Sequence, residues 1–139
     1  MKGNNGNWSA ICRFSNAAST VGALFGACRN SAGDSPYFLV QPLDTGKVVY
    51  WAHSTAALRI TTTMTAGVLA IAGGTAYRDG TAETGSLTYV SGVLEQIRIM
   101  RLGSYNDFYF TGNIQAVAFY DAVLTADQVT AITAAMNAL

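Results

Sequence analysis

Eight carboxylates are available for chemistry in this chain: Asp34, Asp44, Asp79, Glu83, Glu95, Asp107, Asp121 and Asp127. Hydrolysis of a glycosidic bond needs two of them roughly 5 to 10 Å apart, one to donate a proton and one to attack or activate water. Alternate positions on one strand would give that spacing. Every acid here falls near a turn or an element end, so no such pair is expected, and with it no enzymatic activity. The single histidine, His53, would have to be the base of any serine triad, yet the chain has no G-x-S-x-G elbow, and His53 reads as a partly buried sheet residue. The glycines at 67–74 lack the Lys and Ser/Thr of a phosphate loop and read as turn chemistry. Cys12 and Cys28 read as two small buried hydrophobes rather than a disulfide framework, with pairing left open. One histidine and no C-x-x-C leave no zinc site.

Binding chemistry has better candidates. A sugar offers an apolar face and a rim of hydroxyls, so it is held by an aromatic ring beside amide or carboxylate groups. Tyr105, Asn106 and Asp107, with Tyr109 close by, form such a cluster at a turn; Tyr77 with Asp79, Tyr37 and Trp51 are weaker versions. Asn106 and Asp107 are also the best oxygen ligands for calcium, although one acid and one amide fall short of a full coordination shell, and a solvated turn is the simpler reading. No other cofactor is expected.

These groups must be positioned by short strands. Residues 8–14 alternate, with Trp8, Ala10, Cys12 and Phe14 on one face and Ser9, Ile11 and Arg13 on the other. Further strands are expected over 21–28, 37–43, 47–53, 57–63, 67–72, 75–78, 97–102 and 114–120, separated by turns at Asp44–Thr45–Gly46, Gly73–Gly74 and Asp79–Gly80. Residues 81–91 read as a surface loop with one short strand. The period then changes: Thr125 and Gln128 form a capping box, and Val129, Ile132, Met136 and Leu139 recur at helical spacing, predicting a helix over about 125–138. The expected fold is an all-β antiparallel sandwich of one domain, residues 1–139, closed by a short C-terminal helix.

Composition narrows the partners. Lys and Arg number 8 and Asp and Glu number 8, only 12% of residues are charged, and 50% are hydrophobic. The cations are scattered, which argues against nucleic acid. No run reaches the roughly 18 apolar residues of a membrane span, and the opening MKGNNGNWSA lacks the apolar region of a secretory signal. Weak charge repulsion favours self-association, so a homo-oligomer or a place in a larger particle is expected.

Residues 99–132 carry a more specific pattern. Leu102–Gly103 leads to Phe110, Gly112 and Ile114, then to Val117, Tyr120, Asp121, Leu124 and Thr125. This run resembles the carboxyl end of concanavalin A-like, laminin-G-like lectin/glucanase domains, and residues 8–14 resemble their early tryptophan strand. The resemblance implies a jelly-roll sandwich and a non-catalytic recognition or adhesion module that binds a cell-surface glycan. Its closest setting is the bacteriophage virion, in a tail, fibre or capsid surface, with a bacterial or extracellular surface as the alternative. A purely structural virion subunit without a ligand is the competing expectation. Two departures stand out. Only seven residues precede Trp8, where the family has a further strand, so one sheet edge is expected to be short or completed by another chain. The family's Trp-His and Tyr-x-x-Gly segments are matched only loosely, by Trp51–Ala52–His53 and residues 77–80.

Overall fold

A computed structural model of the chain describes residues 6–18, 22–28, 38–44, 47–51, 57–60, 63–89, 96–100 and 109–139. Its strands are β1 (Ser9–Ser15), β2 (Phe25–Cys28), β3 (Phe38–Asp44), β4 (Lys47–Trp51), β5 (Ala57–Ile60), β6 (Gly67–Ala72), β7 (Thr75–Arg78), β8 (Thr81–Ala82), β9 (Gln96–Ile99) and β10 (Asn113–Tyr120); helix α1 spans Ala126–Asn137. They form two five-stranded sheets, β10-β1-β6-β7-β8 and β5-β4-β3-β2-β9. Among the described residues every pairing between these strands is antiparallel, and an isolated parallel bridge joins Ala23 to Tyr109. The expected all-β sandwich with one terminal helix is the observed fold.

Alternation along β1 explains why three layers form. Trp8, Ala10, Cys12 and Phe14 enter the core between the sheets with Leu24, Phe25, Val40, Val48, Tyr50, Leu69 and Ile71. The opposite face of the same sheet presents Ile11, Val68, Ala70, Ala72 and Tyr77, and α1 covers it with Val129 and Met136. A sheet apolar on both faces needs a cover on each, since every buried large side chain contributes about 1.5–3 kcal/mol. The helix is that second cover. Of the predicted helical stripe, Val129, Ile132 and Met136 pack on the sheet, but Leu139 lies past the C-cap Ala138 and is 82% exposed. Thr133 is buried in its stead.

Contacts between the sheets fix their alignment. Phe25 on β2 meets Phe119 on β10 edge to face at 6.0 Å, and the Tyr50 hydroxyl on β4 donates to the Tyr77 carbonyl on β7 at 2.7 Å. With β2 beneath β10 and β4 beneath β7, β9 projects beyond β10. Ile97 and Ile99 pair with Ala27 and Phe25 and so share their inward face, yet they are 41% and 42% exposed. Trp8 itself opens an interior strand, since β1 lies between β10 and β6; among the described residues, the uncovered side of the sandwich is the β9–β10 side.

Tight connections are set by particular residues. Gly73 has φ +55° in the turn between β6 and β7, and Gly67 has φ +138° where a Cβ would collide with Met64 and the Asp79 carboxylate. Cys12 is a free, buried thiol, and burial pushes its ionisation up from 9.0 to about 12.

Candidate functional site

The β6–β7 turn is the floor of a surface cleft of about 500 Å3, a size typical of small-ligand sites. Four separate stretches line it: Gly6 and Asn7, residues 72–75, residues 87–89, and Val123. Backbone bonds tie them together. The Gly73 amide donates to the Trp8 carbonyl at 3.0 Å, and the Leu87 amide donates to the Gly74 carbonyl at 2.8 Å. The wall carrying Val123 is held by Ser9, whose hydroxyl donates to the Ala122 carbonyl at 2.8 Å and accepts from the Leu124 amide at 2.9 Å. Gly74 must be glycine, because a Cβ there would lie 2.9 Å from the Leu87 carbonyl oxygen. The cleft's backbone is therefore tied together by the sandwich's own hydrogen bonds.

Its lining combines two kinds of group. Tyr89 stands edge-on to Trp8, with ring centroids 5.4 Å apart, and Gly6 closes on the Tyr89 ring, where a Cβ would come within 3.1 Å. Leu87 is buried, whereas Val123 is 50% exposed. Beside this apolar part the lining includes the polar residues Asn7, Thr75 and Thr88, of which Asn7 and Thr88 are exposed. None of these lining side chains is charged at neutral pH, and Tyr89 is the one titratable group among them. Hydroxyl and amide groups beside a ring and an aliphatic side chain are the elements from which sites for neutral polyols are built. Among the described residues no group of three His, Cys, Asp or Glu could hold a metal ion.

The residues singled out from sequence lie elsewhere. Tyr105, Asn106 and Asp107, and with them the calcium reading, fall outside the described residues, as do Tyr37 and His53. Tyr77 and Asp79 are described. Tyr77 is only 6% exposed and packs beneath α1, so its ring has no open face for a sugar. Asp79 is on the surface with φ +48°. Its Oδ1 accepts the Val68 amide at 2.8 Å while its own amide donates to the Val68 carbonyl at 2.8 Å. That reciprocal pair closes the end of β7 onto β6. Sequence reading missed the cleft entirely, since its parts are distant in the chain and carry no charge or motif; the Gly73–Gly74 pair was the one visible trace.

No protein-family model and no curated protein sequence matches the chain. Solved structures do match in fold. A Trypanosoma rangeli sialidase in complex with sialic acid superposes with a TM-score of 0.73 at 16% identity, over 96% of this chain and 23% of the sialidase. Domain 4 of an extracellular arabinanase from Geobacillus stearothermophilus, in complex with arabinotriose, gives 0.70 at 17% identity, over 96% of this chain and 68% of that one. The chain thus spans about a quarter of the sialidase's length. At such identities the likeness is one of fold.

The comparisons correct one expectation. The lack of paired strand acids suggested a chain with no enzymatic activity, but its fold forms part of a sialidase and part of an arabinanase, both of them enzymes. Two acids on one strand are a single route to glycoside hydrolysis. Their absence tests that arrangement and does not separate this fold from enzymes.

Proposed function

We propose that this sandwich binds glycan through the cleft over the β6–β7 turn, as a domain of a sugar-processing or sugar-recognising protein. The observation that carries the reading is the lining itself: threonine hydroxyls and an asparagine amide beside a fixed tyrosine ring and an exposed valine, with no charged side chain among them. The fold neighbours are consistent with it, since one is an arabinanase domain solved with arabinotriose and another a sialidase solved with sialic acid. The concanavalin A-like, laminin-G-like resemblance of residues 99–132 supports the same reading, and a virion or cell surface is a setting in which such a cleft would meet host glycans.

Isothermal calorimetry against oligosaccharides tests it directly. Binding is expected for the native chain and should weaken at least tenfold in a Thr75→Val, Thr88→Val double variant, the loss of about 1.4 kcal/mol expected from one or two hydrogen bonds. Unchanged affinity in that variant would place the ligand elsewhere on the molecule.

A further inference from the structure

We infer that the cleft selects neutral glycans and rejects acidic ones, an inference that rests on the glycan-binding reading above and names its ligand class. An acidic sugar carries a carboxylate that must leave water on binding, and the return that favours it over a neutral hydroxyl is a charge-assisted bond from a cation. Asn7, Thr75, Thr88 and Tyr89 supply no cation. Nor, among the described residues, do the arginines of the same sheet. Arg13 donates through Nη1 to the Met136 carbonyl at the C-terminal end of α1 at 2.7 Å, and the Arg78 guanidinium meets the Glu83 carboxylate at 2.7 Å. The nearest charge along the chain is negative: Asp121 is exposed two residues before Val123. Its field opposes a second carboxylate. A neutral sugar meets no such obstacle, because its hydroxyls both donate and accept, as threonine hydroxyls and an asparagine amide do, while Tyr89 and the half-exposed Val123 supply the apolar part of the lining.

Two properties follow. Affinity for the preferred ligand should be nearly independent of ionic strength, since salt screens only charge–charge terms. A cation placed at the rim should also convert the preference. The experiment uses the full chain on a printed array of neutral, uronic-acid-bearing and sialylated glycans, followed by calorimetry with arabinotriose and sialyllactose at low and high salt. The expected result is binding to neutral glycans at least tenfold tighter than to acidic ones, unchanged by salt, with Thr88→Lys gaining several-fold affinity for the acidic set. Acidic glycans binding as tightly as neutral ones, or a steep salt dependence, would overturn the inference while leaving glycan binding intact. Binding to neither class would overturn both.

Discussion

Single side chains in this protein are decided by which layer they enter. The Tyr89 hydroxyl is buried and has no hydrogen-bond partner, and burial also pushes its ionisation well above the usual tyrosine range. An unpaired buried hydroxyl costs about 1–3 kcal/mol. Tyr89→Phe keeps the ring against Trp8 and removes only that group, so it should raise stability by about 1 kcal/mol, read as a higher urea midpoint at unchanged slope. A lower midpoint would mean the hydroxyl is satisfied after all. Tyr77 illustrates the opposite error of sequence reading. Strand alternation puts its ring on the outward face of β7, and an outward ring beside an acid resembles a sugar platform. Periodicity within a strand gives the face but not what covers it, and here α1 lies on top.

At the scale of elements, α1 depends on its first turn. The Thr125 hydroxyl accepts from the Gln128 amide at 3.3 Å, and the Gln128 side chain accepts the Thr125 amide at 2.9 Å. Leu124 and Val129, on either side of that box, both pack on the sheet, as a hydrophobic staple requires. Thr125→Ala should lower the unfolding free energy by about 1 kcal/mol, measured by denaturant titration, and Thr125→Ser should restore most of it. The capping box, the two faces of β1 and the hairpins at 44–47 and 72–75 were all legible, because each is written in residues close together in the chain. The β9 overhang was not. It arises from the offset between sheets, which depends on Phe25 meeting Phe119 across the core and on no local pattern. The cleft was hidden for a similar reason: four stretches with no charge among them meet only after both sheets and the 121–125 turn have formed.

For the whole molecule, the most general consequence comes from ionisable groups taken out of water by the fold. Cys12 and Tyr50 lie in the core between the sheets and Tyr89 packs against its edge, and burial pushes the pKa of each up. The folded protein therefore keeps protons that the unfolded chain releases, so stability must fall as pH rises. For Cys12 the contribution is intact below 9.0 and is lost progressively between 9.0 and about 12. Each group held protonated in the fold adds a slope of about 1.4 kcal/mol per pH unit within its window; the two tyrosines join above 10.0. Urea midpoints should be flat near neutrality, begin to fall at pH 9, and steepen above 10. Cys12→Ala isolates the first step: it lowers stability near neutrality through the small cavity it leaves, but its midpoint should stay level until the tyrosines begin to ionise. A Cys12→Ala profile that still falls from pH 9 would show that a different buried proton governs alkaline unfolding. A native profile flat to pH 11 would mean water reaches the core that joins the two sheets.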